Sequence, residues 1–353
     1  MKNDLPKNKA YKTVNLSPFI NKNSTFGTYL AIFVALVPQI VMLFLTQSYS
    51  NLIIISVCIA ACLCSELFNY IHNKHVKLSL LMSILKGTLI GFFLPAGYPL
   101  FSAFCITLFA MILVKYAFGD LIVSWINPIV ITVAFCWFIG QVSFPAFQVT
   151  KDFLTSKNPS LLLIQEGVFP IFPFDEQFTA SMNDSTFSLF KVSVPQGYVS
   201  MFWDTQSVIP AFRFNFWTLV ASIILISCDI LTFDMPFFFL VSYSLLVKFL
   251  SPVFSGGIPM QGDVILALLS SGTLFTAFFL LQWFGTTPMT KKGKIIFGLL
   301  GGVFAFIFSG CGTSPIGSII TVLFLNIVSP IIQFFENRIK RNKLLAVLRN
   351  ENV

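Results

Sequence analysis

Long apolar runs alternate with short polar breaks along this chain, and the runs fall into two groups. Stretches rich in Leu, Ile, Val and Phe at 27–46, 51–71, 78–96, 100–118 and 122–144 form the first group. Those at 214–233, 235–252, 263–284, 294–312 and 315–335 form the second. A helix needs about 20 apolar residues to cross a hydrocarbon layer of about 30 Å. The pattern therefore predicts an all-α integral membrane protein with about ten transmembrane helices. A long polar stretch, 146–212, separates the two groups of five.

The groups also share wording. Gly87 to Leu94 reads GTLIGFFL, and Gly272 to Leu280 reads GTLFTAFFL. A matching helix start follows each phrase, Asn127-Pro128-Ile129 in one case and Ser314-Pro315-Ile316 in the other. The two pairs of anchors are offset by 185 and 187 residues, which points to an internal duplication. Because each copy has an odd number of spans, the two five-helix repeats are expected to be inverted relative to each other. The organisation expected is a tail at 1–26, a first repeat at 27–145, an external loop at 146–212, a second repeat at 213–336 and a basic tail at 337–353. In repeat-built transporters the working site lies between the repeats, near the midplane.

Charge sets the orientation. Lys2, Lys7, Lys9, Lys12 and Lys22 precede the first span, and Arg338, Lys340, Arg341, Lys343 and Arg349 follow the last. Positive residues stay on the cytoplasmic side, so both termini are expected there. The loops around His72 to Lys77 and Lys291 to Lys294 join them, while the uncharged turns near Ser48 and Gly97 and the 146–212 loop fall outside. The net charge of +8 is thus a matter of topology and gives no reason to expect nucleic-acid binding. Composition agrees: 56% of the 353 residues are hydrophobic and 10% charged, against about 25% charged in soluble domains. The seven cysteines lie in or beside apolar runs without metal-site spacing, so no metal site is expected. Gly298, Gly301 and Gly302 lack the Lys-Ser/Thr of a phosphate loop. Gly298 and Gly302, four apart, have the spacing that lets a neighbouring helix approach closely.

Charges inside spans each need a partner or a function, since one at the centre of a span costs about 2.5–3.5 kcal/mol on insertion scales. Glu66 and Lys86 fall about two turns from the same loop, on antiparallel neighbours. They read as a structural ion pair or as part of an ion path. Asn127-Pro128 has the chemistry of a helix start, a capping side chain followed by Pro at the first helical position. It marks either a helix restarting inside the bilayer, with free N–H groups that would bind an anionic ligand, or a simple kink.

Further residues carry a family resemblance. They include Glu66, the Leu94-Pro95-Ala96-Gly97-Tyr98-Pro99 turn, Lys115 to Asp120 followed by Asn127-Pro128, Ser270-Ser271-Gly272 with Phe275 to Phe279, Thr287 to Gly298, and Asn326 with Pro330. In order and spacing the chain resembles the NqrB/RnfD family, which comprises the RnfD component of Rnf-type electron transport complexes and the NqrB component of the sodium-translocating NADH:quinone reductase. Its length looks more like the Rnf component. The resemblance implies one part of a redox-driven translocase, inactive alone, that moves sodium or protons alongside other membrane, flavin and iron–sulfur subunits. It also implies an FMN esterified through its phosphate to a threonine in the external loop, with room for a second, non-covalent flavin. The family motif is an Asp, two variable residues, Ser or Thr, Gly, Ala and the modified Thr. Here Thr186 fits the residues that follow that motif, but Asp184 and Ser185 replace the small pair and Ala180 the Asp. Ser181 recovers the acidic residue as Asp175. Covalent FMN on Thr186, on Ser181 or on neither remain open, and no catalytic side chain is expected. Phe172, Phe174, Phe178, Phe187, Phe190, Tyr198, Phe202 and Trp203 supply aromatic faces for a flavin or for a small core. The alternative function is a solute channel or transporter on the same scaffold without redox chemistry.

Overall fold

The computed structural model describes residues 24–72, 79–118, 125–144, 149, 151–156, 158–255 and 260–351. The lysines before the first span, residues 73–77 of the basic loop and Asp120 lie outside them. All regular structure among the described residues is helical. The first half comprises α1 (Thr25–Leu45), α2 (Tyr49–His72), α3 (Leu80–Phe92), α4 (Leu100–Phe118) and α5 (Pro128–Ile139). The insertion carries α6 (Lys151–Leu154), α7 (Pro159–Gln165), α8 (Asp175–Ser185) and α9 (Tyr198–Trp203). The second half holds α10 (Asn215–Ser227), α11 (Asp234–Ser255), α12 (Val264–Ser270), α13 (Thr273–Phe279), α14 (Lys291–Ser309) and α15 (Gly317–Glu351).

Every expected apolar run is helical, but fewer than ten are long. Six helices, α1, α2, α4, α11, α14 and α15, are long and apolar enough to cross a membrane. Helices α3, α5 and α10 have 13, 12 and 13 residues, about 18–20 Å at 1.5 Å per residue. Local chemistry ends them early. Pro95, Gly97 and Pro99 follow α3, Pro128 opens α5, and Asp229 after α10 adopts a positive φ of 54°. The expected span 263–284 is split into α12 and α13. At the break Gly272 has φ +66°, and a side chain there would run into the Phe212 ring. The Ser271 hydroxyl bonds the Ala267 carbonyl and lies 2.8 Å from Thr273 Oγ1, so side chains partner the broken backbone. The helix start expected at Ser314-Pro315 is displaced, since α15 begins at Gly317 and its first bond runs from Ile320 N to Ile316 O.

The halves pack alike. Helix α2 packs on α4, α4 on α5, α1 on α3 and α3 on α5. Helices α11 on α14, α14 on α15, α10 on α13 and α13 on α15 repeat the arrangement. The halves meet through like elements, α1 with α10 and α5 with α15.

Cross-links between loops fix the direction of each helix. At one end Arg213 donates to Ser48 Oγ at 2.7 Å, Ala96 N to Val208 O at 3.2 Å and Ser160 N to Asp263 Oδ2 at 2.8 Å. These bonds tie both turns expected outside, and the start of α12, to the insertion. At the far end Glu66 pairs with Lys115, Thr232 with Gln282 and Thr290 with Glu336. Helix α1 therefore runs toward the insertion and α10 away from it, so the halves run in opposite senses. Gln39 of α1 donates to Thr218 of α10 at 3.1 Å across this antiparallel contact.

Small residues set how closely helices approach. Cβ atoms added at Gly298 or Gly302 would lie 2.7 Å from the Met235 and Phe239 carbonyl oxygens of α11. At Gly87 and Gly91 they would come within 2.5 and 2.6 Å of the Ile59 and Ile55 Cα atoms of α2. The two copies of the repeated phrase meet in the core, where Phe92 stacks on Phe275 with centroids 5.6 Å apart.

Gly302→Leu is expected to separate α14 from α11 and lower stability by about 3 kcal/mol, the upper range for overpacking. Thermal unfolding in detergent would measure the loss. Gly97→Ala, at a site with open space around it, should leave the transition unchanged.

Candidate functional site

The insertion is a folded unit seated on the second half. Val149, Leu163, Ile164, Phe169 and Met201 form a small core with Leu266 and Leu269 of α12. Asp175 holds its helices together. Its buried carboxylate accepts from Gly197 N at 2.8 Å, from Ser200 N and Ser200 Oγ at 2.6 Å each, and from Thr179 Oγ1 at 3.0 Å. An acid on α8 thereby partners N–H groups at the start of α9. Burial alone would raise its pKa, but these four bonds outweigh that and hold it below the ordinary 3.8.

A second tie secures the junction with α10. Arg213 grips Asp204 through both carboxylate oxygens, at 2.9 and 2.6 Å, and both side chains are buried.

Between the insertion and the bundle lies an apolar hollow of about 800 Å³. Phe174, Phe178, Met182 and Phe187 form one wall, and Tyr198, Phe202 and Trp203 another. Trp203 stacks on Phe216 at 5.4 Å, and Phe172 on Phe174 at 5.7 Å. Most of the aromatics singled out in the sequence thus come together. Phe216 of α10 and Ile265 and Leu269 of α12 complete the hollow. Their distance along the chain hid them, although Phe216-Trp217 at the edge of an apolar run was a usable signal.

Thr186 caps the C-terminus of α8 with an exposed side chain. Its backbone stays in the helical region, φ −93° and ψ −47°. Phe174, Phe178 and Met182, spaced by four, line the hollow from α8, and Thr186 stands a further four residues along, next to the lining Phe187. Ser181 is exposed too, three residues after Phe178 and seven after Phe174, so it lies as near that face as Thr186 does.

The remaining sequence-expected residues lie elsewhere. Asn127 is fully buried between the halves and caps α5, its Oδ1 accepting from Ile129 N at 3.0 Å. Its Nδ2 donates to the Leu280 carbonyl beyond α13 at 3.2 Å. Both ends of the amide are engaged. Glu66 forms its ion pair with Lys115 of α4, at 2.8 Å, rather than the pairing with Lys86 expected from the sequence. The reason is register: Gly87 lies against Ile59 and Gly91 against Ile55, so Lys86 stands deeper along α2 than Glu66, while Lys115 near the end of α4 reaches it. Lys86 is half-buried on α3, within electrostatic range of Cys62, one turn from Glu66.

A helical bundle with antiparallel halves, six helices of membrane-crossing length and a folded insertion at one end defines a multi-pass membrane protein. The chain belongs to the NQR2, RnfD, RnfE family, which it matches over residues 13–341. It is 24% identical over 333 residues to the D subunit of the Na⁺-translocating ferredoxin:NAD⁺ oxidoreductase complex of Acetobacterium woodii, covering 93% of this chain and 94% of that one. It is 25% identical over 344 residues to the D subunit of an ion-translocating oxidoreductase complex of Pectobacterium atrosepticum, covering 90% and 95%. The protein of the same description from Psychromonas ingrahamii is 24% identical over 353 residues, covering 92% and 97%.

Asp175 makes the insertion acid-sensitive. With its folded pKa depressed, its contribution is complete above the unfolded value of 3.8 and fades as pH falls through the lower folded value. Hydrogen exchange of residues 175–200 should lose protection below pH 3.8. Asp175→Asn should lower protection at neutral pH by roughly thirtyfold, for a loss of about 2 kcal/mol, and flatten the acid dependence.

Proposed function

We propose that this chain is the RnfD component of an Rnf-type ion-translocating electron transport complex, working with other membrane and redox subunits and not alone. Family membership across nearly the whole chain and relatives named as such components support this reading. In it the chain lies in a bacterial inner membrane with both termini cytoplasmic and the insertion outside. The far-end clustering of Lys291, Lys292 and Lys294 with the α15 tail agrees with that orientation. The transported ion is sodium or a proton. The Glu66–Lys115 pair, with Lys86 nearby, reads first as support for the α2–α4 contact and second as a lining of the ion path.

The observation that carries the redox part is the aromatic hollow, walled by a helix that bears exposed hydroxyls at Thr186 and Ser181. An isoalloxazine needs apolar faces to cover it, and a phosphoester tether needs an accessible hydroxyl. Thr186 offers an exposed hydroxyl between Met182 and Phe187, which line the hollow, and is taken before Ser181 because the residues that follow it fit the motif the family resemblance implies. Phe178, Tyr198 and Trp203 would cover the ring. Asp175 would keep α8 and α9 fixed around it, and the apolar lining would exclude water. A bound FMN supplies one- and two-electron transfer.

The test is denaturing electrophoresis of the protein from its native complex, read by in-gel flavin fluorescence. A fluorescent band is expected, lost in Thr186→Ala and kept in Ser181→Ala. A dark wild-type band with no added mass on the 175–191 peptide would reject the covalent flavin.

A further inference from the structure

A second hollow, of about 580 Å³, opens where the insertion meets α11 and α12, on the other side of Tyr198 and Ile265 from the aromatic one. We propose that it holds the zwitterionic head of a phosphoethanolamine lipid, with the phosphate on Lys248 and the ammonium on Asp263. This rests on the chain spanning a membrane and is independent of any flavin.

Lys248 lies on apolar α11, seven residues before its end and level with the start of α12, where its carbonyl accepts from Gly262 N at 3.2 Å. A lysine on such a helix is tolerated when its ammonium reaches polar surroundings, and here it lines the hollow. Among the described residues no carboxylate pairs with it. Asp263 faces the same space. Its Oδ1 accepts from Leu266 N at 3.0 Å and its Oδ2 from Ser160 N at 2.8 Å. Each carboxylate oxygen has further lone-pair capacity for a ligand ammonium. The Tyr198 hydroxyl is held by Ser160 Oγ at 2.7 Å and Asn158 Oδ1 at 3.2 Å, so this wall is fixed. Gln261 supplies a further amide at the rim.

One positive and one negative group within a single hollow select a head group carrying both signs. A purely anionic head would meet Asp263, and a cationic one Lys248. Flanking surfaces suit the rest of the lipid. Leu245 and Phe249 of α11 and Ile265 of α12 are exposed beside the hollow, and acyl chains lie along such a face. Its position at the insertion end of the bundle is where head groups of that leaflet sit.

The test is native mass spectrometry with lipid extraction on the full chain, purified in mild detergent from membranes containing both phosphatidylethanolamine and phosphatidylglycerol. Wild type should retain phosphatidylethanolamine in excess of its bulk proportion. Lys248→Gln should reduce that retention about fivefold, the effect of one lysine on an acidic head group. Asp263→Asn, which keeps a capping side chain for α12, should shift retention toward phosphatidylglycerol. Retained lipid in the bulk ratio would overturn the proposal. So would phosphatidylethanolamine retention unchanged in Lys248→Gln, or a preference unchanged in Asp263→Asn.

Discussion

The side chain of Asn127 does what the whole bundle requires: it gives backbone groups at two helix breaks a partner inside the protein. No water reaches a lipid-facing interior, so every N–H and C=O must be satisfied by the chain itself. One end of this amide takes the Ile129 N–H at the start of α5, and the other reaches the Leu280 carbonyl beyond α13. A single residue thus allows a helix to begin in one half just where a helix ends in the other. Ser271 serves the same need at Gly272, where α12 gives way to α13. Without such side chains short helices could not sit at the centre of the molecule.

Hydropathy made the apolar runs and their grouping legible, but not the lengths of the helices within them. Burial makes a segment apolar whether it is one helix, as in α2, or two, as at 263–284. The split depends on one positive-φ glycine and a serine that turns back on its own helix, neither of which alters the apolar pattern. The repeated phrases meet in the core at the contact of Phe92 and Phe275, which their spacing along the chain does not reveal. At the second helix start the analogy slipped by a few residues, because Gly310 and Gly312 adopt positive φ before Gly317 and the turn takes up the difference. Glu66 was recognised as a residue needing a partner. The neighbour chosen from the shortest loop was the wrong one, since contact between α2 and α4 depends on packing that no local spacing records. In the external loop the aromatic residues were visible as a set. Thr186 and Ser181 both stand beside the residues of α8 that line the hollow, and helical register does not separate them.

The insertion is built as firmly as the bundle below it. Asp175 joins its helices from within, and the buried Arg213–Asp204 pair joins its end to the first turn of the molecule at Ser48. Removing one member of such a pair would strand the other charge, a cost of about 3–5 kcal/mol. An exposed loop that merely linked two halves would not need either. The ties they make hold α8, α9 and α10, which line the aromatic hollow, against one another.

Antiparallel halves also pose a problem for biosynthesis. The insertion machinery meets nearly the same hydrophobic pattern twice and must thread it in opposite senses, so the two copies cannot carry the same flanking charges. The first copy is preceded by a string of lysines. The second is preceded by Arg213, a cation on the contrary face, which the finished protein neutralises with Asp204. That ion pair therefore reconciles a duplicated message with a membrane that has two unlike sides.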